Sequence, residues 1–235
     1  MKLTSRELKR QARGTLTGRY GIPMAAFVIF QLIVMAISFP FNLSILNPAV
    51  SQIIIHTLAS VIISLISTVF NCGLISMHLK LSRGKEIRIS DLFVFFSNHP
   101  DRFILSAFVM RGMFLLISIP AIIGTILAVK TNSAPAYFLM AGIWALTMVP
   151  ILILSFSYHL VYILLADRPD VEWISAFRES RNLMSGHKGR AFYISLSFIG
   201  MSFLCLFSLG IGFLWVSPYM TQTQIKFYQN IIQNQ

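Results

Sequence analysis

The sequence predicts an all-α polytopic bundle of membrane-spanning helices, and three observations carry that reading. Only 11% of the 235 residues are charged while 56% are hydrophobic, and mean hydropathy is +0.73. A soluble domain carries about 25% charged residues, so a water-soluble fold of this size would lack the polar surface to cover itself. Several apolar runs reach the roughly 20 residues that a helix needs to cross a hydrocarbon core of about 30 Å. The charge is also segregated: all but three of the 19 Lys and Arg, and all 8 acids, fall in the N-terminal segment and in two loops.

Taken in order, residues 1–21 form a basic amphipathic segment, with Leu8, Ala12 and Leu16 on one face. The first span is predicted over Pro23 to Leu46 and the second over Ser51 to Leu79, joined by a turn at Asn47-Pro48. A charged elbow over 80–102 precedes the third span, Phe103 to Val129. A charge-poor turn over 130–135 leads to the fourth span, Ala136 to Leu165, and a second charged elbow covers 166–190. The fifth stretch, Ala191 to Val216, admits two readings. It is one long helix ending near Pro218, or a hairpin of two shorter helices, 191–209 and 212–231, turning at Gly210-Ile211-Gly212. Hydropathy rejects the second helix, which holds Thr221, Gln222, Thr223, Gln224 and Lys226.

An internal repeat favours the hairpin. Each basic segment joins an amphipathic stretch to a short polar elbow, then an Arg, an aromatic residue and a span: Gly18-Arg19-Tyr20, His99-Pro100-Asp101-Arg102-Phe103 and His187-Lys188-Gly189-Arg190-Ala191-Phe192. Three such units make about six spans in a single domain, 1–235, with five as the alternative. The positive-inside rule then puts the N-terminus and the charged elbows in the cytosol. The elbow helices are expected to lie in the membrane interface, Trp173 among headgroups, against anionic lipid of the cytosolic leaflet.

Two stretches resemble a known family. "AFRESRNLMSGHKGRAFYISLSFIG", residues 176–200, and "GIGFLWVSPYMTQTQIKFY", residues 210–228, are similar to an uncharacterised family of bacterial integral membrane proteins, domain of unknown function 975. The basic N-terminal helix ending at Tyr20 fits the same pattern, and Pro218-Tyr219 with Phe227-Tyr228 is its most specific part. The layout also looks like the membrane domain attached to some glycerophosphodiester phosphodiesterases. The first resemblance implies a multi-pass protein of the bacterial plasma membrane, mainly in low-GC Gram-positive bacteria, and no activity.

The chemistry-bearing residues are few. The sequence holds no Walker loop, no His-Glu-x-x-His and no Cys-x-x-Cys, and no carboxylate lies inside a predicted span. That removes aspartyl proteolysis and proton coupling through a buried acid. Cys72 and Cys205 lie inside apolar runs and read as packing residues. No catalytic residue, metal or cofactor is assigned, and nucleic acid is not an expected partner. His56, Ser60, Ser64, Ser67, Asn71 and His78 share one face of the second span. Asn71, Arg111 and His159 fall at nearly one level, about 13 Å along their helices from the charged elbows. An intramembrane Arg faces a bundle interior or a cavity unless it snorkels. Arg19, Arg102, His187, Lys188 and Arg190 are expected at lipid phosphates.

Two functions follow from this. The first is a non-enzymatic scaffold, accessory or immunity-type protein that docks a membrane-protein partner or anionic lipid. The second is a transporter or insertase-like protein, with a cytosol-open polar groove around Arg111 handling an anionic lipid, peptide or small molecule.

Overall fold

A computed structural model describes residues 3–42 and 50–234. The predicted turn at Asn47-Pro48 lies outside them. The described chain is all-α, and five of its helical segments are long and apolar enough to cross a membrane. Helix α1 (Ser5–Leu16) precedes α2 (Gly21–Asn42) and α3 (Val50–Ser82). After a 3-10 turn (Ile89–Phe93) come α4 (Val94–Ser97), α5 (Pro100–Thr131) and α6 (Ala134–Ser157). Then follow α7 (Val161–Asp167), α8 (Trp173–Met184), α9 (Lys188–Phe207) and α10 (Phe213–Ile232).

The fifth predicted stretch resolves into the hairpin. Leu209 (φ 51°) and Gly210 (φ 87°) take left-handed conformations that stop α9, and α10 returns beside it. The rings of Phe198 and Tyr219 meet edge-on at 5.2 Å, and Arg190 reaches Asn230 at 3.0 Å, so the two helices run antiparallel. α10 fails a hydropathy test because its polar groups face protein, not lipid. Gln222 and Thr223 are fully buried, and Gln222 Oε1 lies 2.8 Å from His78 Nδ1 on α3. Ser82 donates to Gln229 Oε1 at 2.7 Å, and the Tyr228 hydroxyl donates to Asp167 at 3.0 Å. Hydrogen bonds of this kind offset the cost of burying polar groups.

Amphipathic α1 differs from the interfacial helix expected of it. Thr4 and Glu7 form a capping box at its start. Leu8, Ala12 and Leu16, one helical turn apart, are then fully buried, chiefly against α10. Lys9 extends over the Phe198 ring, 4.0 Å from its centroid, and donates to the Ser197 carbonyl at 3.1 Å. The apolar face that would have entered lipid is covered by protein.

The three elbows are also unequal. The first and third form 12-residue helices, whereas the second is only the 3-10 turn and the single turn of α4. Its backbone presses on α3: a Cβ added at Gly73 would sit 2.1 Å from the Leu92 carbonyl oxygen. Phe70 of α3 packs on both Phe93 and Phe96. On the third elbow, Trp173 is half-buried, its ring edge-on to Phe177.

Packing is therefore concentrated at the end that carries the basic segments. There Phe103, Leu164, Phe227 and Tyr228 are all but inaccessible. Toward the other end the helices present large apolar side chains outward, Phe138 at 80% exposure and Leu146 at 75%. Such surface is matched by hydrocarbon, and the chain is a multi-pass membrane protein.

Candidate functional site

The polar face of α3 borders a cleft. His56, Ser60, Ser64, Ser67 and Asn71 line it along one edge, with Thr68 beside them. The opposite wall comes from Phe30, Val34, Ser38 and Phe41 of α2, and Arg111 enters from α5. The volume is about 540 Å³. His78, two turns beyond Asn71, does not line it and is buried against α10.

The hydroxyls on α3 spend their protons on the helix itself. Ser60, Ser64 and Ser67 each donate to a carbonyl three or four residues back, at 2.7 Å in every case. Thr68 donates likewise to the Ser64 carbonyl at 2.9 Å. What this face offers the cleft is oxygen lone pairs.

Donors come from two other groups. Arg111 Nη2 donates to the Ser64 carbonyl at 2.7 Å and to Thr68 Oγ1 at 3.1 Å, bridging α5 to α3. Its Nη1 is buried with no hydrogen-bond partner. Asn71 is exposed, and among the described residues its amide makes no hydrogen bond. The three ion pairs among the described residues, Lys80–Asp91, Arg83–Asp167 and Arg168–Glu179, leave Arg111 without an acidic partner. It does not snorkel: its guanidinium is held against a neighbouring helix.

Arg111 and Asn71 thus both line one cleft, and His159 does not. It is absent from the lining and lies instead beside Phe156, ring centroids 6.4 Å apart. The cause is a break in the fourth span. Residues 158–160 interrupt α6 and α7, and Ser180 of α8 staples the break, accepting from Leu160 N and donating to the Ser157 carbonyl. Facing inferred from one continuous helix fails beyond such a break. The cleft runs from Asn71 toward the α2 C-terminus, away from the basic end.

The five basic residues expected at lipid phosphates divide. Arg102 donates from Nη1 to the Pro169 carbonyl and from Nη2 to that of Leu165 at 2.8 Å, capping the end of α7. Arg190 donates to the Leu3 carbonyl at 2.6 Å and to Asn230 Oδ1 at 3.0 Å. Both are internal ties. His187 and Lys188 stand half-buried at the start of α9. Arg19 is exposed at a second pocket of about 540 Å³, together with Lys85 and Arg88, which sequence reasoning had not singled out.

No group of three or more His, Cys, Asp or Glu among the described residues is arranged to hold a metal. One family model matches the chain over residues 1–235, that of a protein of unknown function, DUF975. No curated protein and no solved structure matches it.

Proposed function

The chain belongs to the DUF975 family, whose description assigns no function, and from that premise we propose that it binds an anionic amphiphile in the α2–α3–α5 cleft, as a transporter or insertase-like protein does. In this reading the membrane is a bacterial plasma membrane, as the family resemblance implies, and the N-terminus faces the cytosol by the positive-inside rule. The protein is not an enzyme in this reading. The observation that carries it is the pairing of donors at Arg111 and Asn71. A guanidinium nitrogen left unbonded at membrane depth, with no acid to neutralise it, costs several kcal/mol or so until an anion arrives. A phosphate or carboxylate head accepts from both residues, and its chain lies along the Phe30, Val34 and Phe41 wall.

The test is binding of a photoreactive single-chain phosphate amphiphile to the purified protein in uncharged detergent. Crosslinks are expected on the α3 face from Ser60 to Asn71, and a neutral amphiphile of equal chain length should compete poorly. Arg111→Leu should reduce labelling at least about tenfold, the loss of one charge-assisted contact. Arg111→Lys should recover only part of it, because a compact ammonium does not reproduce the planar fork that spans from α3 to the head. Undiminished labelling of a folded Arg111→Leu protein would return the molecule to the scaffold or accessory reading.

A further inference from the structure

We propose a second, separate ligand site at the basic end of the bundle, where Arg19, Lys85 and Arg88 bind the phosphate of an anionic phospholipid headgroup. Two chain segments far apart in sequence converge there. Gly18 and Arg19 come from the α1–α2 corner, and Gly84 to Arg88 from the loop after α3. Gly18 (φ 74°) and Gly84 (φ 71°) make the turns that bring the segments together, and nothing lies within 4 Å in front of either. The pocket between them is about 540 Å³.

Its charge is unbalanced. Three cations and a single acid, Glu86, line the pocket. Among the described residues the side chains of Arg19 and Lys85 enter no hydrogen bond or ion pair. Arg88 faces Asp91, but that carboxylate is already held by Lys80 Nζ at 2.7 Å and by Arg88 N at 2.9 Å. The contrast with Arg102 and Arg190, which are consumed by main-chain carbonyls, separates a binding pocket from a structural tie.

The position selects a lipid over a free phosphate. The pocket sits where the first span begins, and Gly21 and Ile22 form part of its lining. Ile22, at the start of α2, is 37% exposed beside the three cations. A phosphate held by the three cations leaves its acyl chains beside Ile22, at the entry of the first span. Fixed cations at headgroup level attract anionic lipid, each by an amount that accumulates over a cluster.

The experiment is native mass spectrometry of the full chain released from detergent containing phosphatidylglycerol or phosphatidylcholine. Wild type should retain phosphatidylglycerol selectively. The triple variant Arg19→Gln/Lys85→Gln/Arg88→Gln should lose at least about tenfold of that retention. A control removing equal charge from exposed positions, Arg6→Gln/Arg178→Gln/Arg181→Gln, should lose little. Glu86→Gln, which removes the lining acid, should raise retention. Equal loss in both triples would mean diffuse surface charge and would overturn the site, as would an unchanged first triple or no rise in Glu86→Gln. Inorganic phosphate competing as well as the lipid would overturn the headgroup assignment and leave a soluble-phosphate site.

Discussion

Two glycines on neighbouring helices show how little residue type says without its surroundings. Gly73 is buried with the Leu92 carbonyl against it, whereas Gly112, adjacent to Arg111, has nothing within 4 Å of an added Cβ. Gly73→Ala is expected to lower stability by about 1–3 kcal/mol, the usual cost of overpacking, because the obstructing atom is backbone. Gly112→Ala should be neutral or raise stability by about 0.5–1 kcal/mol, since Ala loses less backbone entropy in a helix. Thermal denaturation followed by the fluorescence of the 3 Trp residues measures both. Equal effects would mean that the second elbow does not seat on α3. At this scale the sequence was partly legible. Arg111 and Asn71 were identifiable because a charged or amide group in an apolar run has few places to go. Lys85 and Arg88 were not, because exposed cations beside a span are ordinary and only the tertiary fold groups them with Arg19.

Among elements, the second elbow is held to the bundle by charge as well as by apolar contact. Burial pushes the Asp91 carboxyl up. The hydrogen bond from Lys80, that from Arg88 N, and the charges of Lys80 and Arg88 outweigh it and hold the carboxyl below its ordinary value of 3.8. A carboxyl whose pKa is depressed on folding stabilises above its unfolded value, and the contribution is lost as pH falls through the folded one. The elbow is therefore expected to loosen below about pH 4. Lys80 is 37% exposed, so solvent screening limits the pair to about 0.5–1 kcal/mol. Protection against hydrogen exchange over residues 86–97, corrected for the intrinsic rate at each pH, should fall on acidification, and Asp91→Asn should show the lowered protection already at neutral pH. An acid response unchanged in Asp91→Asn would assign it elsewhere. The apolar spans were readable from composition because lipid selects their side chains directly. Helix α10 was not, because its Gln, Asn and Tyr side chains answer to Leu3 ahead of α1 and to α3, α7 and α9. Only the repeat, through Gly210, pointed to it.

The molecule as a whole has one tightly packed end and one that meets lipid with little internal contact. Stability should follow that division. Phe227→Ala, at a side chain 1% exposed, is expected to cost about 3–5 kcal/mol. Phe138→Ala, at 80% exposure, should stay within about 0.5 kcal/mol. Denaturation midpoints in one detergent compare them, and similar losses would contradict a polarised core. The same polarity leaves the α2–α3–α5 cleft outside the tightly packed core. The tie from Leu3 N and Arg190 to Asn230 has a consequence in the order of synthesis. The surface that covers α1 is made last. While the ribosome adds the preceding helices, α1 emerges with Leu8, Ala12 and Leu16 uncovered, and it stays so until residues 213–232 are complete. A chain stopped after Gly212 should insert its apolar helices as usual yet fail quality control, its half-life in cells falling several-fold while membrane integration, read by carbonate extraction, is unchanged. Supplying 213–235 as a separate chain should restore it, for the last helix closes what the first one opened.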